Sequence, residues 1–194
     1  MIIDISQEIL SCNIYPGDPA PVAEKLMDMN KGDLYNLTSF SMGCHNGTHL
    51  DAPAHFFKDG KTIDALCLES CVGKCYVAQH TGDVTADAAR EIMAKRTESG
   101  ANKRILLAGD CVVTEQAAQI FADSGILLIG NESQSVGPAN APMAVHKTLL
   151  GRGVVLLEGV VLKNVAEGVY FLSAAPLNIA GVEGSPCRAY LIKE

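Results

Sequence analysis

Residues 75–129 contain Cys75-Tyr76-Val77-Ala78-Gln79, then Thr85 to Met93, Arg104-Ile105-Leu106-Leu107-Ala108, Thr114 to Ala122, and Ile126-Leu127-Leu128-Ile129. The three apolar runs have the length of buried strands. The stretches between them carry apolar residues at helical spacing, Ala88, Ala89, Ile92 and Met93 in the first and Ala118, Phe121 and Ala122 in the second. Thr85 and Thr114 stand where a hydroxyl can accept from the free N–H groups that open a helix, and Gly125 stands just past the second helix. This β-α-β-α-β rhythm predicts an α/β fold, a mixed or parallel sheet with helices packed on it.

Toward the C-terminus, residues 130–143 are rich in Gly, Ser, Asn and Pro and read as one long loop, which in a compact domain is more often functional than slack. A short helix around Ala144 to Leu150 then leads into an apolar strand, Val154 to Leu157, with Glu158 directly after it. Tyr170 to Leu172 and Ala189 to Ile192 supply further strands. Toward the N-terminus the texture is loops and short strands: Ile2 to Ile5 reads as a first strand, and Tyr15-Pro16-Gly17-Asp18-Pro19 as a turn cluster. A length of 194 residues without repeats or low-complexity tracts fits one domain, 1–194.

Composition narrows the function. With 48% hydrophobic and 19% charged residues the chain is neither disordered nor fibrous. Fifteen Lys and Arg against twenty-two Asp and Glu give a net charge of -7, which argues against a basic nucleic-acid groove. No window approaches eighteen apolar residues, and acids rather than a basic patch occupy the first eight positions, so a cytoplasmic protein acting on a small molecule is expected, away from membranes. Seven cysteines, an odd number, suit reduced thiols. Cys67, Cys71 and Cys75, spaced by four, permit a zinc reading, but they lack a CxxC knuckle and a nearby fourth soft ligand.

The chemistry concentrates in His45-Asn46-Gly47-Thr48-His49-Leu50-Asp51-Ala52-Pro53-Ala54-His55. Three of the chain's five histidines fall in these eleven residues, about tenfold more than chance places there. The His45 to His49 spacing matches a zinc-protease helix, but position 46 is Asn, Gly47 and Thr48 are poor helix residues, and Pro53 follows. A turn into an extended segment fits better, and in an extended segment His49, Asp51, Pro53 and His55 point to one side. A complete metal site needs ligands from elsewhere. Candidates are His80, His146 and the carboxylates, with His146 and Glu158 preferred because they follow the long loop and the apolar strand.

Residues 45–55 match every fixed position of HxGTHxDxPxH, and on this motif the chain resembles the metal-dependent cyclase family that includes bacterial kynurenine formamidases. The resemblance continues through Tyr15 to Pro19, Gly125 to Gly130, His146 with Glu158, Pro176-Leu177 and Gly184 to Ala189. It implies a swivelling β/β/α cyclase-like fold and a homodimer or homotetramer. It also implies that His45, His49 and Asp51 bind one divalent ion, that His146 binds a second, that Asp51 and Glu158 bridge them, and that His55 is the catalytic acid/base. Imidazole and carboxylate donors without thiolate suit Zn²⁺ first and Mn²⁺ second. The activity implied is hydrolysis of a small amide, lactam or lactone, with N-formylkynurenine the named candidate.

Two departures bear on the substrate. The similar formamidases have Trp before Pro-Gly-Asp, where it contacts substrate, and this chain has Tyr15. Their Gly-Ile-Asp after the middle strand reads Gly130-Asn131-Glu132 here, in a loop expected near the pocket. Two other readings stay open: a lyase or cyclase using the same metals to stabilise an enolate, and a metal- or small-molecule-binding protein without turnover. His55 favours an enzyme, because a pure binding site needs no acid/base beside its metal.

Overall fold

The computed structural model describes residues 1–100 and 103–193. Its strands are β1 (Ile2–Asp4), β2 (Val22–Met27), β3 (Leu37–Ser41), β4 (His49–Asp51), β5 (Val72–Gln79), β6 (Gly82–Val84), β7 (Arg104–Ala108), β8 (Cys111–Val113), β9 (Leu128–Asn131), β10 (Val155–Glu158), β11 (Gly168–Ser173), β12 (Gly184–Pro186) and β13 (Tyr190–Ile192). The helices are α1 (Leu68–Cys71), α2 (Ala86–Glu98), α3 (Glu115–Asp123) and α4 (Met143–Leu150). Among the described residues no helix is long and apolar enough to cross a membrane.

Nine strands form one mixed sheet in the order β1-β13-β11-β5-β7-β9-β10-β4-β12. The middle four, β5, β7, β9 and β10, are parallel, as the βαβ rhythm predicts. Their side chains are buried on both faces, which is why Arg104 to Ala108 reads as a continuous run rather than an alternation. Ile105 and Leu107 face the helices and pack with Phe121, Ala118 and Leu149. Leu106 and Ala108 face the other way, onto Leu50, Ile63 and Leu162. Thr85 and Thr114 cap α2 and α3 by accepting from Ala88 N–H and Ala117 N–H, as expected.

Four boundaries differ from the sequence reading, the first three of them because of a partner strand. The strand expected at Cys75 begins at Val72, because Val72 pairs with Ser173. The strand expected over Ile126 to Ile129 runs from Leu128 to Asn131, set by the register of Arg104 against Leu128. The strand expected over Val154 to Leu157 runs one residue later and includes Glu158, which pairs with His49. The expected extended run through His55 ends at Asp51: Pro53–His55 is a single 3₁₀ turn.

The hairpin of β2 and β3, bulged at Lys25 to Met27, was not legible in the sequence. It belongs to no other sheet, and Val22, Leu26, Leu37 and Phe40 along it are exposed.

Candidate metal centre

Antiparallel pairing builds the centre. β4 lies between β10 and β12, and its register sets His49 opposite Glu158. Alternation along β4 then puts His49 and Asp51 on one face while Leu50 enters the core on the other. The turn before β4 is fixed by the remaining motif residues. Asn46 Nδ2 donates to Pro19 O, Thr48 Oγ1 donates to Gly159 O, and Gly47 takes φ +64° where a Cβ would lie 2.8 Å from Cys12 Cβ. The turn returns His45 beside Asp51, Nδ1 to Oδ1 2.8 Å. From the opposite side α4 delivers His146, whose Nε2 lies 3.1 Å from Glu158 Oε1 and 3.6 Å from Asp51 Oδ2.

The structure therefore brings together all five residues expected as ligands. They form two overlapping groups, His45, His49 and Asp51, and Asp51, His146 and Glu158, each with donor atoms within 4.8 Å of one another. Asp51 belongs to both, with Oδ1 toward His45 and Oδ2 toward His146. His80 lies elsewhere, its Nε2 against Asp83 O.

The hydrogen bonds fix how these groups face inward. His49 Nδ1 donates to Gly47 O at 2.9 Å and His146 Nδ1 to Pro142 O at 2.9 Å, since a carbonyl oxygen only accepts. Their Nε2 lone pairs consequently face carboxylates, an arrangement that is repulsive unless a proton or a cation lies between. His45 Nε2, His49 Nε2 and Asp51 Oδ2 are buried and have no hydrogen-bond partner. Inward lone pairs of this kind, on nitrogen and oxygen alone, fit divalent metal ions.

Electrostatics agree. Burial opposes charge on His45, His49 and His146, but the Asp51 and Glu158 carboxylates carry all three above the ordinary histidine value. Burial would raise Asp51, and His45 and His49 instead hold its carboxyl below the usual range. His55 goes the other way, lowered chiefly by burial. Its ring lies over His45, centroids 4.1 Å apart, and meets Phe56 edge-on at 4.5 Å.

A cavity of about 280 Å³ opens on the cluster, and Tyr15 lines it as expected, its hydroxyl donating to Ala139 O at 2.8 Å. Asp18, Phe56, Gln134, Ser135 and Pro142 line it too, and none was singled out from the sequence. Their signals were the turn cluster around Asp18 and the long loop that holds Gln134. The loop that follows Gly130-Asn131-Glu132 lies at the pocket, as expected, through Gln134 and Ser135, while Asn131 and Glu132 brace it from behind: Asn131 Nδ2 donates to Ser135 O, and Glu132 accepts from Gly109 N–H and Leu162 N–H. Cys67, Cys71 and Cys75 form no metal-capable group among the described residues; Cys67 is exposed and the other two are buried in the fold.

Comparison with known proteins accords with this site. The chain is 34% identical to the kynurenine formamidase of Salinibacter ruber (strain DSM 13855 / M31), over 98% of its own length and 96% of the relative's. The solved structure of a potential metal-dependent hydrolase with cyclase activity superimposes with TM-score 0.81 at 26% identity, covering 100% of this chain and 98% of that one. An isatin hydrolase bound to the product analogue thioisatinate shares the fold, with TM-score 0.82 at 19% identity over 100% and 92%. Fold and site together define a metal-dependent hydrolase acting on carbon–nitrogen bonds other than peptide bonds. The sequence profile of the Cyclase family matches residues 3–138, and the chain belongs to that family.

Proposed function

We propose that the protein hydrolyses an N-aryl formamide, N-formylkynurenine the named substrate, to the arylamine and formate. The observation that carries the proposal is the pair of ligand groups sharing Asp51, with His55 beside them, at the floor of a cavity walled by Tyr15 and Phe56. His45, His49 and Asp51 would hold one divalent ion, and Asp51, His146 and Glu158 a second, Zn²⁺ in preference to Mn²⁺. Such ions supply polarisation of the formyl carbonyl and a water acidified to near neutrality.

The chain's own residues do the rest. Glu158 is held by Val136 N–H, which donates to Oε1 at 2.7 Å and leaves Oε2 toward His49. His55, biased to the neutral form, takes a proton from the attacking water and passes it to the departing nitrogen. Water adds to the carbonyl carbon, the C–N bond breaks, and the arylamine leaves protonated. The aromatic walls exclude water and stack the aryl group.

We further place the enzyme in the cytoplasm, supported by seven free cysteines, and as a homodimer or homotetramer. Support for assembly is the exposed apolar hairpin and a groove of about 500 Å³ at its foot, bordered by Phe40, Ile9 and Leu177. The test of function is mass spectrometry of the metal-loaded protein with N-formylkynurenine. Loss of a formyl group with stoichiometric formate is expected. An unchanged substrate, or conversion without uptake of water, would overturn the reading in favour of a lyase or a binding protein.

A further inference from the structure

Gln7 lies in the segment between β1 and β2. Its backbone N–H donates to Thr48 Oγ1 at 2.9 Å, and its side-chain Nε2 donates to Gly159 O at 2.8 Å. Thr48 Oγ1 donates in turn to the same Gly159 O at 2.7 Å, which closes a ring of three residues. The side-chain amide has one possible orientation, because its Oε1 accepts Asn13 N–H at 2.7 Å. Asn13 O then accepts Gly47 N–H at 3.0 Å. Gln7 therefore ties the turn before β4 to the chain just past β10.

The place of this ring gives it a role. The ladder of β4 with β10 ends at His49 opposite Glu158. Its next step would set Thr48 against Gly159, but Gly159 takes φ +68° and turns the chain away. The ring supplies at that point the cross-link that backbone pairing does not. The close approach depends on glycine, since a Cβ on Gly159 would lie 2.9 Å from Gln7 Nε2. Directly beyond the ring, His49 Nε2 and Glu158 Oε2 stand 3.4 Å apart. On the other side of Thr48, Gly47 O accepts His49 Nδ1–H and also Gln134 Nε2–H at 3.2 Å, so the ring and the orientation of His49 share one turn.

We infer that Gln7 is a positioning residue of the metal centre: through Thr48 and Gly159 it fixes the separation of His49 and Glu158, one from each ligand group, for divalent ions. It touches neither ion nor substrate. The inference rests on the metal-centre reading of the site. Imidazole and carboxylate lone pairs that converge repel one another while no ion is bound, so strand ends left untied would spread. An ion would then have to draw them together, and affinity would fall by the cost of that ordering. The ring needs an amide in particular, because only an amide presents a donor to Gly159 O and an acceptor to Asn13 N–H from one side chain of this length.

The test is Zn²⁺ affinity, measured by competition with a chelating dye well below the unfolding temperature, so it needs no turnover. Gln7→Met should weaken binding about tenfold, the low end for groups that orient metal ligands from outside. Gln7→Glu keeps the bond from Asn13 N–H but cannot donate to Gly159 O, and it should be weakened as much. A Glu variant with wild-type affinity would overturn the assignment, and it carries the comparison if the Met variant does not fold. Ser6→Ala is the control: Ser6 borders the same groove as Gln7, but its hydroxyl serves Asp4 and Ala189 O, so affinity should not change. An equal loss there would mean that the whole segment acts on the site, which also overturns the assignment. Thr48→Val breaks the same ring, so the double variant with Gln7→Met should bind about as weakly as the weaker single one; losses that multiply would mean that Gln7 acts by another route. Earlier melting at unchanged affinity would make Gln7 structural only. A wild type that takes up no divalent ion overturns the metal reading and this assignment with it. A wild type whose affinity is indifferent to both Gln7 substitutions overturns this assignment alone.

Discussion

The junction of β4 with β10, one strand in from the β12 edge of the sheet, and the hairpin of β2 and β3 break the usual sorting of side chains in opposite directions. At the junction His49, Asp51, His146 and Glu158 are buried, with carboxylates and imidazoles facing one another. On the hairpin Val22, Leu26, Leu37 and Phe40 are exposed. Neither arrangement stabilises an isolated chain: buried charges cost several kcal/mol each unless paired, and exposed apolar side chains forgo about 25 cal/mol per Å². The junction therefore suits a divalent ion, and the hairpin is the apolar surface that the proposed assembly would cover. The core between them, from Cys75 to Leu157, follows the ordinary rules and carries the fold.

The largest expected effect breaks the junction. His49→Ala removes a nitrogen that belongs to the first ligand group and faces Glu158, so metal content and turnover should fall together, turnover to the level of the metal-free protein. Elemental analysis alongside formamide hydrolysis checks this. A variant that keeps its metal would remove His49 from the ligand set. His55→Ala should behave differently, keeping metal and fold while losing on the order of 10²–10⁴ in kcat, the usual share of general acid/base catalysis. Loss of an ion in that variant would make His55 a ligand and the assigned proton path wrong.

Acidity sharpens the same contrast, because metal and proton compete for the same lone pairs. His45, His49 and His146 have folded values above the unfolded 6.5. Their contribution to the metal-free fold is thus fully present below about pH 6.5 and is lost as pH rises through the raised values. Metal binding needs the imidazoles neutral, so affinity should climb over that same window, about tenfold per pH unit for each proton displaced. Thermal melts from pH 6 upward should show the metal-free protein losing Tm while the loaded protein gains it. Parallel curves would mean that the histidines do not change protonation on binding. The hairpin has no ionisable core and should be indifferent to this titration. Its own test is Phe40→Asp, which should weaken self-association about tenfold or more in sedimentation with monomer folding little changed. A wild type that sediments as a monomer would leave the exposed arm for a different partner.

What the sequence disclosed follows from the range of the interactions. Thr85, Thr114 and Gly125 act within one turn of chain, and the helices they bound were legible. The motif 45–55 disclosed three of the candidate ligands because they are local, and His146 and Glu158 entered on their position after a loop and a strand and on the resemblance. Register was not legible: that Glu158 lies inside a strand opposite His49 depends on a partner about a hundred residues away. The hairpin was missed because an alternation with no buried face leaves no periodic apolar signal. Gln134 was missed because a glutamine in a polar loop looks like its neighbours until Gly47 O and Gly159 are placed against it.

The smallest expected effect concerns the cysteines, which the sequence offered as a rival metal site. Cys67 is exposed, and its Sγ donates to Glu69 at 2.6 Å, a contact that serine can keep. Burial pushes the Cys75 thiol up to about 12 and that of Cys71 to about 11, so neither is a ready thiolate at neutral pH. Cys67→Ser, Cys71→Ser and Cys75→Ser should each leave metal content and kcat unchanged. They should differ in stability, because Cys75 packs among Val77, Leu106 and Tyr170 in the apolar cluster below the sheet. A hydroxyl there has only the Tyr170 backbone to meet in apolar surroundings and should cost about 1–3 kcal/mol by urea unfolding, against nearly nothing at Cys67. Loss of one metal equivalent in any of the three would return the thiolates to the ligand set, and an equal cost at Cys67 and Cys75 would mean that burial does not set the difference.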